Sequence, residues 1–359
     1  MRKISITQIK GNELLAKPIY DPSGRLLLAK DTLLKPGYKM RLNTLGIMSI
    51  YVNDELSKGI EIEDYISEEI RISTKEALKN EVKKILNKRD PNTHKFLELA
   101  NSIIDDILSH ERVMINISDI KSKDECLFEH SINVCALSVI MGIHLEYSNE
   151  HLKELAVGSL LHDVGKLLTP KDIIDKVKDG ALLNSEETDV LKKHPIDGYE
   201  IFNEKYNDIS YISKAIILMH HEHCNGTGFP LGLTDDKLHE TVKLVSICNT
   251  FDNLTSDFSG CKKMEVYQAL EYLVAMSNTL FDKSMVDLFI KNVAAYPSGS
   301  IVKLNTGAYG IVLKQNRAFP LRPVINLIYD ENGNKLKVPK EMNLSQETTL
   351  FIVDTAENI

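Results

Sequence analysis

Histidines that interrupt apolar helical stretches constrain this chain more than any other feature. His130 lies among Leu127, Val134, Leu137 and Ile140; His162-Asp163 follow Leu160-Leu161; His194 and the pair His220-His221 come later. A lone histidine on an apolar face is usually a satisfied core residue. Five of them with an aspartate, each near the end of a separate expected helix, are harder to read as core filling. Helical bundles build metal sites from inward-facing ligands in this way. These groups outnumber the ligands of one tetrahedral zinc. They suit two divalent ions that share a bridging carboxylate, for which Asp163 is the natural candidate. Mixed imidazole and carboxylate donors point to iron or manganese, with zinc or nickel possible.

The stretch Leu160-Leu161-His162-Asp163-Val164-Gly165-Lys166 adds a cation. On a helix, positions three and four apart share a face, so Lys166 falls on one patch with His162 and Asp163. An ammonium there suits a phosphate or a developing anion.

At 359 residues the chain has room for two or three compact domains. A formal net charge of −8 without a dominant Lys/Arg block disfavours DNA as a partner but leaves room for a small phosphorylated ligand. The cysteines Cys126, Cys135, Cys224, Cys248 and Cys261 form no CxxC pair, which argues against a disulfide framework and for a reducing compartment. Met1 to Gln8 has no apolar leader core, and no apolar run reads as long enough to span a bilayer. A cytoplasmic protein without a membrane partner is expected.

In chain order, residues 1–62 read as a small β-rich module with one short helix, around Met40 to Leu45, and Asp21-Pro22-Ser23-Gly24 marks a turn. Residues 63–112 read as two charged amphipathic helices separated at Arg89-Asp90-Pro91-Asn92, a connector through which a second copy of the chain could pack. Residues 113–295 form the helical core, with helices expected over 126–146, 150–163, 186–206, 209–222, 239–254, 264–277 and 282–293. Thr169 with Pro170 reads as a helix start, and Asn184-Ser185-Glu186-Glu187 as a capping box. Residues 296–359 read as a C-terminal β module in which Asn332-Gly333 signals a type I′ hairpin. The fold class is therefore mainly α, with a small N-terminal α+β module and a small β module at the end.

The order of His130, His162-Asp163-Val164-Gly165-Lys166 and His220-His221-Glu222 resembles the HD superfamily of metal-dependent phosphohydrolases. More narrowly, His221-Glu222-His223-Cys224-Asn225-Gly226-Thr227-Gly228-Phe229-Pro230 resembles the HD-GYP signature HHE-x-x-DG-x-GYP. The resemblance implies hydrolysis of the bacterial second messenger cyclic di-GMP to the linear dinucleotide or GMP, by a water activated between two metals. It implies ligands His130, His162, Asp163, His194, His220 and His221, with Asn249 where the family has an aspartate. Lys166 would sit beside the scissile phosphate, and Asn225, Gly226, Gly228, Phe229 and Lys262 around the substrate.

Several positions depart from that family's pattern. The GYP tyrosine is Phe229, the preceding aspartate is Asn225, and an arginine-containing stretch is replaced by Phe258-Ser259-Gly260-Cys261. Asp252, one turn beyond Asn249, is a candidate substitute ligand. Cys126, where some members carry a glutamate for a third ion, implies two metals rather than three. Gly226-Thr227-Gly228 reads either as a phosphate cradle or as a plain turn. Two other readings stand beside the phosphodiesterase: a degenerate family member that binds a nucleotide or partner without cleaving it, and a phosphohydrolase for another nucleotide.

Overall fold

The computed structural model describes residues 1–21, 25–45, 47, 49–62, 64–110, 115, 126–203, 206, 208–256 and 263–356, with the side chain of Cys126 outside that description. The Pro22-Ser23-Gly24 turn, Gly46, Lys262 and Phe258 to Cys261 therefore lie outside the described residues.

The first segment holds β1 (Arg2–Ser5), β2 (Leu14–Leu15), β3 (Ile19–Tyr20), β4 (Leu26–Leu28), α1 (Tyr38–Thr44) and β5 (Ser49–Asn53). Central β5 pairs antiparallel with β1 and β2, and β3 pairs with β4. Ile4, Leu15, Leu34, Ile50 and Val52 fill its small core.

Two long helices follow, α2 (Glu68–Leu86) and α3 (Thr93–Ser109). Their apolar faces, through Leu78, Val82, Phe96, Leu99, Ile103 and Ile107, are buried in the main helical core of the same chain. These apolar faces are thus covered within one chain.

The core continues as α4 (Cys126–His144), α5 (Asn149–Leu161), α6 (Lys171–Lys178), α7 (Ser185–Leu191), α8 (His194–Asn203), α9 (Tyr211–Met219), α10 (Glu240–Thr255), α11 (Val266–Ala275) and α12 (Lys283–Asn292). Val134, Leu137 and Met141 of α4 are fully buried; each such side chain stabilises by about 1.5–3 kcal/mol relative to exposure. By length and composition alone Leu127–His144 could cross a membrane, contrary to the sequence expectation, but 72% of it is buried inside the protein. Its apolarity is that of a central core helix.

Two of the helix boundaries that differ from expectation have a proline behind them. The helix expected over 186–206 is two, α7 and α8, because Pro195 has no N–H to give the Leu191 carbonyl and so cannot continue α7. Helix α6 begins at Lys171, so Pro170 rather than Thr169 stands at its cap, with no side-chain cap bond. The Asn184–Glu187 capping box is present in both directions, at 2.9 and 3.0 Å.

The last segment is a five-stranded antiparallel sheet, β6 (Ile301–Leu304), β7 (Tyr309–Lys314), β8 (Val324–Tyr329), β9 (Lys335–Asn343) and β10 (Ile352–Ala356), in the order β10-β6-β7-β8-β9. The β8–β9 connection is a loop over 330–334 rather than a two-residue turn. Asp330 accepts from the backbone N–H of Asn332 (2.9 Å) and Asn334 (2.8 Å), and Gly333 takes the positive φ of 77°. One face of the sheet joins the helical core through Val302, Val312 and Ile325. The other, through Ile301, Ile311 and Ile328, packs on Tyr51, Ile60 and Ile62 of the N-terminal segment.

Candidate metal centre

The chain places its buried histidines where helices end. A helix leaves its last carbonyls without intrahelical donors, and a ring N–H can take them. His162 caps α5 and donates from Nδ1 to the Ser159 carbonyl (2.7 Å). His220 caps α9 and donates to Ile217 (3.0 Å). His194 donates to Leu191 at 2.8 Å, the carbonyl that Pro195 leaves free. His130 lies in the first turns of α4 instead, and donates Nδ1–H to the Asp252 carboxylate (2.7 Å).

Because a carbonyl or carboxylate only accepts, each Nδ1 carries the proton and each neutral ring leaves Nε2 bare. These bare nitrogens face one another, at 3.2 Å for His162 and His130 and 3.2 Å for His194 and His220. Two lone pairs cannot bond to each other; they can share a cation. A ligand histidine oriented through its other nitrogen is the usual arrangement at metal sites.

Asp163 stands between the two pairs, fully buried. Its Oδ1 faces His194 (3.3 Å) and His220 (3.5 Å), and its Oδ2 faces His130 and His162 (both 3.5 Å). Oδ1 has no hydrogen-bond partner among the described residues, which leaves a lone pair for a cation. Two groups result, Asp163 with His194, His220 and His221, and Asp163 with His130 and His162, each with donor atoms within 4.8 Å of one another. Asn249 adds its Oδ1 at 3.0 Å from His130 Nε2 while also accepting from Asn253 (2.8 Å). The cluster can bind metal.

The electrostatics prepare it. Burial holds His162, His220 and His221 below the ordinary histidine range, with neighbouring rings adding to the effect. Burial alone would raise the Asp163 carboxyl; the Lys166 ammonium, then His162, outweigh it and hold it well below the carboxylate range. Burial thus favours neutral imidazole at His162, His220 and His221, and the neighbouring cation favours carboxylate at Asp163.

Lys166 reaches Asp163 Oδ2 at 2.5 Å. The helix does not continue through this motif as the sequence implied: α5 ends at Leu161 and Val164–Leu168 is a 3₁₀ turn. In a 3₁₀ turn positions i and i+3 eclipse, which sets Lys166 over Asp163. Gly165 makes the close approach possible, since a Cβ there would lie 2.0 Å from the His194 carbonyl oxygen.

Around the mouth, Phe229 stacks on His221 (4.5 Å between centroids, 18° between planes), and the Lys192 ammonium lies 5.5 Å from the Phe229 centroid. A Cβ on Gly228 would meet the Glu222 Cα at 2.4 Å, so this glycine lets the loop lie against the His221–His223 backbone. Asn225 is exposed, and its Oδ1 accepts from the N–H (3.0 Å) and hydroxyl (2.7 Å) of Thr227; with Gly226 at φ 75° this is a turn.

Three residues carry roles the sequence reading did not give them. Asp252 orients His130 rather than replacing Asn249 among the donor groups. Asn133, one turn along α4, donates to Asp252 Oδ1 (3.1 Å). Glu222, buried, accepts from the N–H groups of Leu231 (2.6 Å), Gly232 (3.1 Å) and Leu233 (2.9 Å), and so ties the loop after Phe229 to the centre. A carboxylate directly following two histidines was the available signal for Glu222. Asn133 offered none.

Residues 112–285 match the HD domain family, and residues 301–358 match a KOW domain associated with HD domains. A cyclic di-GMP phosphodiesterase of Pseudomonas aeruginosa is 28% identical over 245 residues, covering 68% of this chain and 58% of that protein. Another from Borreliella burgdorferi is 28% identical over 207 residues, covering 57% of this chain and 52% of that protein. The chain thus spans little more than half the length of these curated relatives. An HDG"Y"P protein of Bdellovibrio bacteriovorus shares the fold, with TM-score 0.50 at 20% identity, covering 80% of this chain and 97% of that one. The fold and the histidine–aspartate cluster define an HD-domain protein. Residues 112–285 thus carry the HD domain, and over this region the chain is similar to cyclic di-GMP phosphodiesterases.

Proposed function

We propose that the chain is a metal-dependent phosphodiesterase acting on a cyclic dinucleotide, with cyclic di-GMP as the substrate. The observation that supports this most is the Asp163 carboxylate, whose two oxygens each face a separate group of bare imidazole nitrogens. His194, His220 and His221 would hold one divalent ion, and His130, His162 and Asn249 the other, with Asp163 shared. Iron or manganese fits the donors best. Such ions lower the pKa of a bound water and neutralise phosphate charge.

The chain's own residues do the rest. The Lys166 ammonium, anchored on Asp163 and partly exposed, lies where a phosphate oxygen or a departing ribose oxygen would develop charge. Phe229, braced on His221, offers an apolar ring face at the mouth. The flanking units 1–62, 63–112 and 296–359 would position residues 113–295, and a cytoplasmic setting goes with such a substrate. The receptor reading and the other-nucleotide reading are less favoured, since the curated relatives reported above are named as cyclic di-GMP phosphodiesterases.

The test is anaerobic purification with iron or manganese, metal analysis, and chromatography of products from cyclic di-GMP. Linear dinucleotide or GMP is expected, and His162→Ala/Asp163→Ala should abolish it. Two bound metals with no cleavage of any cyclic dinucleotide would end this reading.

A further inference from the structure

We propose that Arg71, on α2 and outside the matched HD segment, is a positioning residue for one half of the metal centre. The inference rests on the metal-binding reading above. Arg71 donates from Nη1 to Asn133 Oδ1 (2.6 Å), Asn133 donates from Nδ2 to Asp252 Oδ1 (3.1 Å), and His130 donates from Nδ1 to Asp252 Oδ2 (2.7 Å). All four residues are buried.

The direction of this chain follows from donor chemistry. A side-chain amide can present either its oxygen or its nitrogen to a neighbour, but guanidinium only donates. Arg71 therefore fixes the Asn133 oxygen toward itself and the amide nitrogen toward Asp252. Asp252 is kept as an acceptor for the ring N–H of His130, and the bare Nε2 of His130 is turned into the cluster. Tyr65 donates its hydroxyl to the same Asn133 oxygen, at 3.4 Å, a longer contact of the same polarity. In the other half, His194 and His220 are oriented by backbone carbonyls instead.

Arg71 also lies 3.7 Å from Glu129, which pairs with Lys75 at 2.9 Å. Docking α2 on α4 is thus its competing role, and the experiment separates the two. Full-length protein is titrated with Mn(II), and free Mn(II) is followed by electron paramagnetic resonance. Native protein should bind two ions. Arg71→Met should weaken one of them by about 10–100-fold, the usual cost of losing an orienting partner of a ligand, and leave the other unchanged. Arg71→Lys, which restores a donor, should recover most of the loss, and Lys75→Met should keep both sites. The proposal is overturned if Arg71→Met binds both ions as native protein does, or weakens both sites equally along with Lys75→Met. Should Arg71→Met not fold, Arg71→Leu, which likewise offers no donor, is titrated in its place, and the same binding outcomes support or overturn the proposal. Native protein that binds no Mn(II) would instead defeat the metal reading itself.

Discussion

Burial beside fixed acceptors sets the tautomer of His130, His162, His194 and His220, and that makes a pocket of donors out of what would otherwise be core. The residues that converge were nameable from their types and order alone, because a histidine run through apolar helices has few other uses. The partners that orient them were not, because three are backbone carbonyls and the fourth, Asp252, lies 122 residues from His130. At this scale pH is the sharpest probe. For His162 and His220, held below 6.5 by burial, the unfolded chain binds protons that the folded chain does not. Their contribution to stability is complete above about pH 6.5 and declines as pH falls, by about 1.4 kcal/mol per pH unit for each. Urea unfolding of chelator-treated protein should show lower stability at pH 5.5 than at 7.5; equal stability would show that these rings are protonated in the folded state. Gly165→Ala should cost about 3 kcal/mol or more, since the clash is with backbone rather than with a side chain that can yield. A thermal midpoint no lower than native would contradict that contact.

At the scale of elements, helix ends carry the chemistry. The capping box of α7 and the break at Pro91 were legible, because both act through local residue types. The split between α7 and α8 was missed, although Pro195 announced it, because helical periodicity runs on through Lys192 and Lys193. Pro195→Ala would return an N–H to compete with His194 for the Leu191 carbonyl. Metal content should fall while far-ultraviolet circular dichroism shows equal or greater helicity; retained metal would mean that packing alone orients His194. Glu222→Gln leaves an amide N–H facing the backbone donors of the following loop, a mismatch of about 1–3 kcal/mol. Limited proteolysis should then cut faster between residues 229 and 233 than in native protein, and an unchanged rate would show that the loop does not depend on Glu222.

For the whole molecule, the mainly helical class and the terminal β segment were readable from the switch in periodicity near Tyr296. What the pattern could not show is that the two ends of the chain meet: Tyr51, Ile60 and Ile62 share a core with Ile301, Ile311 and Ile328. Alternation says that a strand has an apolar face, not which distant segment covers it. Ile311→Ala should therefore destabilise by about 3 kcal/mol and loosen the N-terminal segment as well as the sheet. Hydrogen exchange confined to the sheet would show that the shared core contributes little. The distribution of the centre along the chain has a temporal consequence too. His130 on α4 is completed by Asn249 and Asp252 on α10, so the donors come together only after nearly all of the helical core has been synthesised. A growing chain that has emerged only through α9 lacks Asn249 and the carboxylate that aims His130, so the surroundings of His130 are complete only once α10 has been made.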